Sequence, residues 1–293
     1  MRPLSIFTIG LALIASAPAF GQEAGALTDK IAALEAQITA QQSHMDFIWV
    51  ATAAALVFLM QAGFLLLEAG LVRSKNSINV AQKNIADFVL ATCAFYLLGF
   101  GLMFGDSLGG WIGTDPTLSS DDEAWTKAFF VFQLVFCGTA ATILSGVVAE
   151  RMKFVGYLVA TIVIAVVIYP VFGHWAWGNL LISDNAAYLA DKGFIDFAGS
   201  TVVHSAGGWV GLAAALVIGP RIGKFDDQGR AQPIQGHSPV LATMGALLLW
   251  IGWIGFNGGS TTAANESVAP IIANTVLAGG FGGLASMIAG RIN

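Results

Sequence analysis

The stretch FVGYLVATIVIAVVIYPVF, residues 154–172, is 19 residues long and contains no charged side chain. A transmembrane α-helix needs about 20 predominantly apolar residues to cross the hydrocarbon core of a bilayer. Residues 154–172 therefore predict a membrane-spanning helix. Six further stretches have a similar length and character, so we expect an all-α, polytopic membrane bundle of about seven helices. These six stretches are Phe47–Val72, Ile85–Phe104, Ala128–Ala149, Thr201–Ile218, Pro239–Phe256 and Val268–Ala289.

The composition of the whole chain agrees with a membrane protein. Hydrophobic residues make up 56% of its 293 residues and charged residues only 11%, and the mean hydropathy is +0.74. Soluble domains carry roughly 25% charged residues, because a water-facing surface needs them. The composition thus argues against a soluble enzyme and a disordered chain. The net charge of −5 leaves no basic surface for a nucleic acid.

Motifs of catalysis and metal binding are also scarce. The sequence has no HExxH motif and no phosphate-binding loop, so we do not expect an enzyme. Cys93 and Cys137 are too few for a disulfide scaffold or a four-ligand metal site, and both lie in apolar runs where we expect them to be buried. His174 and His204 lack a third ligand nearby in sequence. We therefore expect neither a metal nor a cofactor.

The N-terminal segment has the pattern of a processing signal. Arg2 precedes the apolar stretch Leu4–Ala17, and small residues follow at Ala19 and Gly21. A charged start, a short apolar core and small residues near a cleavage site are typical of a secretory signal peptide. We predict a signal peptide over residues 1–21, with a retained first helix as the alternative.

A different pattern covers residues 22–44, before the membrane domain that we predict for residues 45–293. Polar residues separate apolar ones that recur at steps of three and four, as on one face of an amphipathic helix. We expect this helix to lie outside the cytoplasm, against the membrane assembly or against its own copies. Its apolar residues are Leu27, Ile31, Leu34 and Ile38.

Charged residues in the loops predict the orientation. Nearly all Lys and Arg residues of the membrane part follow the odd-numbered spans, whereas Asp and Glu dominate the alternate loops. Under the positive-inside rule the basic loops face the cytoplasm. We thus expect a multi-pass protein of the cytoplasmic, or inner, membrane with its mature N-terminus outside. The basic residues are Arg73, Lys75, Lys83, Arg151, Lys153, Arg221, Lys224, Arg230 and Arg291.

Glycine is unusually frequent, with 35 residues in the chain. Pairs of small residues four apart allow helix backbones to approach closely where water does not drive helices together. We predict tight helix–helix contacts at four such pairs: Gly101/Gly105, Gly207/Gly211, Gly255/Gly259 and Gly279/Gly283.

Aromatic residues gather near the predicted outer ends of the spans. An interfacial belt of aromatic side chains is one interpretation. A converging cluster of Trp and Phe is another, because ring faces attract small cations by about 0.5–2 kcal/mol each. The residues concerned are Phe132, Phe136, Trp177, Trp253 and Phe256.

A longer motif resembles a known family. The run Asp196-Phe197-Ala198-Gly199-Ser200-Thr201-Val202-Val203-His204, followed by glycines at 207, 208 and 211, is similar to the signature segment of the ammonium transporter (Amt/Mep/Rh) family. Several shorter pieces are similar to the same family in the same order, and the resemblance covers residues 45–293. These pieces are Arg73-Ser74-Lys75-Asn76, Ala149-Glu150-Arg151, His174-Trp175-Ala176-Trp177-Gly178 and Gly252-Trp253-Ile254-Gly255-Phe256-Asn257-Gly258-Gly259-Ser260.

The resemblance implies a role for each of several residues. Trp177, Phe132 and Ser260 would form an external recruitment site for NH4+. Phe136 and Phe256 would form a phenyl gate below it, and Trp253 would line the pore with His204 at its centre. Asp196 would order the loop before the fifth span, with direct contact to the ion as the alternative.

The resemblance also implies a mechanism and partners. Ammonium would lose its proton after recruitment, because burying a full charge in an apolar pore is costly. Neutral ammonia would then cross the hydrophobic pore, and imidazole would relay the proton separately. Membrane lipid would surround the helical bundle. Family members are homotrimers of eleven-span subunits built from two inverted halves. Many meet a PII-type regulator through a C-terminal tail.

The chain departs from this pattern at one point. The histidine that pairs with His204 belongs to the tenth span, whereas this sequence stops at Asn293 after the seventh. We therefore expect a truncated sequence with the first half complete and the second partial. Two functions stay open: ammonium transport, and ammonium sensing by an Amt-like domain fused to a signalling domain. The coding sequence downstream would distinguish them.

Overall fold

Seven long helices form the chain in this computed structural model, which describes residues 6–114, 118–119 and 122–292, with side chains from residue 25 to residue 291 of those ranges. The described residues contain no β-strand. All seven helices are long and apolar enough to span a membrane, which confirms the all-α polytopic prediction. They are α1 (Ile6–Leu71), α2 (Ser74–Phe104), α3 (Ala124–Val148), α4 (Phe154–Trp177), α5 (Ser200–Ile218), α6 (Pro239–Gly259) and α7 (Val268–Ile292).

The chain divides into two compact units, residues 1–46 and residues 47–293. The first unit is helical from Ile6 onwards and belongs to α1. Residues 1–5 of the predicted signal peptide lie outside the described residues. Cleavage near Gly21 stays a prediction.

The second span differs from its prediction. We expected a loop up to residue 84, but α2 begins at Ser74 and only Val72 and Arg73 link it to α1. Lys83 is therefore a helix residue and is 1% exposed. Its ammonium group donates a hydrogen bond of 2.8 Å to the carbonyl of Met152. That bond gives the buried ammonium group a hydrogen-bond partner and so offsets part of the free-energy cost of burying its charge.

The core of the membrane unit is centred on α3, most of whose residues are buried. This helix packs against both α2 and α5. Cys137 of α3 is buried as expected, whereas Cys93 of α2 is exposed, because its position lies on the outer side of the bundle rather than toward α3.

Glycines mark the closest approaches between helices. Gly207 and Gly211 of α5 lie against the Ala140 carbonyl and the Val147 side chain of α3. A Cβ at Gly255 of α6 would lie 2.6 Å from the carbonyl oxygen of Ala53 in α1. The predicted contacts are therefore present at these positions, but Gly283 of α7 has nothing within 4 Å of its Cβ position.

Three short stretches inside the helices have π-helical winding. They are Phe95–Gly99 in α2, Ile164–Ile168 in α4 and Ser200–Ser205 in α5. The first two meet, since a Cβ at Gly99 would overlap the carbonyl of Ala165. Such segments occur frequently at functional sites, and the third contains His204.

One ionic cluster joins three loops on the same face of the bundle. The buried Glu150 carboxylate accepts hydrogen bonds from the Arg73 backbone N–H at 2.8 Å and from Asn76 Nδ2 at 2.9 Å. It also forms an ion pair of 2.9 Å with the Arg73 guanidinium, and Arg221 lies 3.9 Å away. The loops after α1, α3 and α5 therefore meet at one carboxylate.

The close approach at Gly255 makes a testable prediction. Gly255→Ala should lower the free energy of unfolding by about 1–3 kcal/mol, because the added methyl group forces α1 and α6 apart. Gly280→Ala is the matched control, since nothing lies within 4 Å of the Cβ position at Gly280. Thermal unfolding of the purified protein measures both variants, and equal effects would contradict the proposed close packing.

The Glu150 cluster predicts a pH dependence. Burial by itself raises the pKa of the Glu150 carboxyl, but hydrogen bonds from Arg73 and Asn76 outweigh it and lower the pKa from 4.5 to about 2. A carboxylate with a lowered folded-state pKa stabilises the fold above its unfolded pKa, and this stabilisation disappears as the pH falls through the folded pKa.

We therefore expect Glu150→Gln to lower the unfolding temperature at neutral pH. The difference from the unmodified protein should shrink as the pH falls from 4.5 to about 2. Exposed Glu266 provides the control, and Glu266→Gln should have little effect at any pH. A difference for Glu150→Gln that stays constant over this range would disprove the assignment.

Candidate functional site

Three phenylalanine rings converge between α3 and α6. Phe132 and Phe136 lie one helical turn apart on α3, with ring centroids 4.6 Å apart. Phe256 of α6 stacks on Phe136 at 4.0 Å with an interplanar angle of 24°. All three side chains are almost completely buried. Two helices separated by about 100 residues of sequence thus place an apolar stack in the interior.

Trp177 brings a fourth ring to this stack from the end of α4. Its ring centroid lies 6.2 Å from that of Phe136 in an edge-on arrangement. The indole N–H donates a hydrogen bond of 2.6 Å to the backbone carbonyl of Asp196. Because that bond fixes the indole plane, Trp177 is held by the loop that precedes α5.

His204 lies next to Phe256. The imidazole centroid is 5.3 Å from the Phe256 ring and 6.4 Å from the Trp253 ring. Its position follows from the π-helical start of α5, where the N–H groups of Val203 and His204 both bond to the Gly199 carbonyl. The rings of α3, α6 and α5 therefore form one continuous aromatic series that leads to an imidazole.

The Asp196 carboxylate holds the start of α5. It accepts three backbone hydrogen bonds, from the N–H groups of Gly199 at 2.8 Å, Thr201 at 2.9 Å and Val202 at 2.7 Å. The first turn of a helix leaves such N–H groups without intrahelical partners. Gly199 adopts φ +90°, a conformation that favours glycine, and so turns the chain into the helix.

Ser260 follows α6 directly. Its hydroxyl donates to the Phe256 carbonyl at 2.8 Å. The residue before it, Gly259, packs on the Phe132 ring, where a Cβ would lie 2.8 Å from Cε2. A hydroxyl has a single hydrogen, so toward a ligand Ser260 can only accept. This geometry suits a ligand that has only donors.

Trp253 also faces a cavity of about 390 Å³ between α6 and α7. Asn257 of α6 and Thr275 of α7 line the cavity and bond to each other at 3.0 Å. Asn257 belongs to the sequence motif Gly252–Ser260, whereas no sequence pattern indicated Thr275. A single threonine in an apolar span has no pattern that distinguishes it from a packed core residue.

A group of buried polar residues joins α1, α2, α3 and α4, and no sequence pattern predicted that they would meet. Glu68 accepts hydrogen bonds from Ser145 at 2.6 Å and from Asn84 at 2.9 Å. Asp87 accepts from the hydroxyl of Tyr157. Glu68 and Asp87 are recognisable in the sequence as polar residues within spans, but their partners are up to 77 residues away.

A serine–histidine contact elsewhere in the unit has a structural role. Ser107 lies in Gly105-Asp106-Ser107-Leu108-Gly109, which fits a GxSxG pattern, and its Oγ is 2.9 Å from His174 Nε2. The other ring nitrogen faces the Met103 carbonyl at 2.8 Å rather than a carboxylate. His174 is also completely buried, so the pair lacks the acid and the access of a hydrolase.

The residues whose side chains are described form no cluster of metal ligands. No group of three or more His, Cys, Asp or Glu side chains in those ranges comes close enough to hold an ion.

The Asp196 contacts predict the effect of removing one oxygen. Asp196→Asn keeps the shape but turns an amide NH2 toward backbone N–H groups, so it should destabilise the protein by about 1–3 kcal/mol. Asp191→Asn is the control, because Asp191 accepts a single backbone N–H bond, from Ala187 at 3.1 Å. Thermal unfolding would measure both, and a smaller loss for Asp196→Asn would contradict the role described above.

Comparisons with known proteins agree on one family. The family model described as the Ammonium Transporter Family matches residues 48–293. The Synechocystis protein sll0537 is 50% identical over 256 residues, 86% of this chain and 47% of that protein. Ammonium transporter Amt2 of Archaeoglobus fulgidus is 45% identical, over 83% of this chain and 53% of its own. The chain thus spans about half the length of the curated relatives it matches.

Solved structures lead to the same conclusion. A structure named Sensor Amt Protein has a TM-score of 0.83 and 45% identity, over 85% of this chain and 63% of its own. Candida albicans Mep2 has a TM-score of 0.68 and 27% identity, over 77% of this chain and 50% of its own. The matching helices, the family model and these relatives together show that the chain belongs to the ammonium transporter family.

Proposed function

We propose that the protein containing this chain carries ammonium across the cytoplasmic membrane. The observation that carries this proposal is the aromatic series, in which the Phe136–Phe256 stack at 4.0 Å leads to His204 at 5.3 Å from Phe256. This arrangement offers ring faces and one imidazole, and it suits a small cation that can become neutral.

Recruitment is assigned to Trp177, Phe132 and Ser260. The rings of Phe132 and Trp177 both approach Phe136, with centroid distances of 4.6 Å and 6.2 Å. Their faces attract a cation through the ring quadrupole. The Ser260 oxygen accepts a hydrogen bond from NH4+, which donates four and accepts none. A donor-only cation therefore finds complementary groups without a buried carboxylate beside it.

The gate is assigned to Phe136 and Phe256. Rings stacked at 4.0 Å leave no room for a hydrated ion between them, so passage requires their rotation. An unpaired charge in an apolar interior costs far more than a neutral molecule of the same size. Ammonium lowers this cost by losing its proton before it passes, whereas potassium has no proton to lose.

The deeper pore is assigned to His204 and Trp253. A histidine gains or loses a proton near neutral pH more easily than other side chains, so His204 can pass on the proton that ammonium leaves. Trp253 provides the apolar wall beside it. Asp196 acts as a positioning residue, because it bonds to the backbone of α5 and, through its carbonyl, to Trp177.

The assembly and the orientation belong to the same proposal. We assign a homotrimer, a mature N-terminus outside the cytoplasm and a PII-type regulator on the cytoplasmic side. Support for the orientation comes from Glu150, which gathers the basic loops after α1, α3 and α5 on one face.

Ammonium sensing is the second candidate function. It is favoured by the 45% identity and TM-score of 0.83 with the structure named Sensor Amt Protein. The two candidates share the recruitment site and differ in whether the substrate crosses the membrane.

Uptake of labelled methylammonium tests the proposal, in cells whose own ammonium transporters are deleted. Ser260→Ala should raise the half-saturating concentration about tenfold, because it removes a hydrogen bond to a charged group. Ser286→Ala is the matched control. Ser286 makes the same type of bond to the carbonyl four residues earlier, at 2.9 Å, but lies on the exposed surface of α7.

The maximal rate tests the pore residues. His204→Ala should lower it at least tenfold, since the proton loses its acceptor, while the half-saturating concentration changes little. An unchanged ammonium-dependent current in His204→Ala would refute the relay. Saturable ammonium binding without any uptake by the unmodified protein would favour the sensor over the transporter.

A further inference from the structure

The helical segment from Gly25 to Met45 is exposed at every position. Four large apolar side chains lie on it at steps of four, three and four residues. In proteins, a helix gains most of its stability by packing its apolar face against another element. The apolar face of this segment has no such packing within its own unit. The exposed fractions are 60% for Leu27, 48% for Ile31, 58% for Leu34 and 64% for Ile38.

The spacing fits the heptad repeat of a coiled coil. With Ile31 and Ile38 at the a positions, Leu27 and Leu34 fall at d. Met45 falls at the next a position, and polar Gln41 occupies the d position before it. Among parallel coiled coils, β-branched residues at a with leucine at d favour the two-stranded form. The other face carries small or polar residues, with Ala36 at the outermost position f.

Charges at the flanking positions fit the same arrangement. Lys30 falls at g and Glu35 at the following e, five residues later. In a parallel, in-register coiled coil the g residue of one helix faces this e residue of its neighbour, so each interface pairs Lys30 with Glu35 of the other copy. Within one helix the two side chains, five residues apart, do not face each other.

We propose that the segment from Leu27 to Met45 forms a parallel, in-register coiled coil with the same segment of other copies of this chain. The direction follows from topology, because every copy runs from this segment into its own first span and enters the membrane in the same sense. A lipid surface fits less well. The segment from Gly25 to Asp46 carries one lysine and three acidic residues, whereas interfacial helices are rich in basic ones.

Disulfide formation between copies tests the proposal in membranes of cells that make the full protein. Leu34→Cys, at a central d position, should link most chains covalently under mild oxidation, because facing d residues come within disulfide distance. Ala36→Cys is the matched control on the outer face and should link at least tenfold fewer chains. Both variants carry Cys93→Ala, since Cys93 is the exposed native cysteine of the described residues.

Charge reversal then tests register and direction in the Leu34→Cys background. Lys30→Glu or Glu35→Lys alone should reduce linking about two- to fivefold at low salt, because like charges then face each other. The double variant Lys30→Glu/Glu35→Lys should restore it. Equal linking of Leu34→Cys and Ala36→Cys, no linking of Leu34→Cys, or failure of the double variant to restore linking would each overturn the proposal.

The outcome is independent of the transport proposal. Methylammonium uptake measured in the same cells reports the pore, whereas the disulfide reports the N-terminal segment. A protein that transports without linking would overturn the coiled coil alone, and one that links without transporting would overturn the transport proposal alone.

Discussion

Within a bilayer every backbone amide has to find its hydrogen-bond partner inside the protein, and at the start of α5 the Asp196 carboxylate meets this requirement. Its three bonds to backbone N–H groups fix the loop, the left-handed turn at Gly199 and the first turn of the helix. The same residue holds the Trp177 indole through its carbonyl. Because His204 lies in this first part of α5, one residue holds both ends of the aromatic series: its carboxylate bonds to the start of α5, and its backbone carbonyl bonds to Trp177.

The two faces of α3 show how a single span serves two purposes. One face presents Phe132 and Phe136 to α6 and α4. Another presents Ser145 to the buried Glu68 of α1. Apolar contact alone does not orient helices in lipid, so small residues and internal hydrogen bonds fix their rotation. On α3, the polar contact with α1 and the ring contacts with α4 and α6 therefore lie on different faces of the same helix.

The sequence predicted the existence of all seven spans, since length and hydropathy alone decide whether a helix can cross a bilayer. It did not predict where α2 begins, because Lys83 is buried only through its bond to the distant Met152 carbonyl. No sequence pattern predicted the π-helical turn at His204 either. The contact between Phe136 and Phe256 was expected from family resemblance, since no local rule links two rings 120 residues apart. Thr275 was not predicted either, because no local sequence pattern distinguishes it from a packed core residue.

The two-residue link of Val72 and Arg73 between α1 and α2 bears on how the chain is made. Helices joined so tightly have to enter the membrane together as a hairpin during synthesis. Arg73 stays at the tip of that hairpin, yet its carboxylate partner Glu150 is 77 residues further along the chain. Until the ribosome has produced α3, the guanidinium depends on water, which anchors the hairpin tip at the aqueous boundary and prevents it from slipping through.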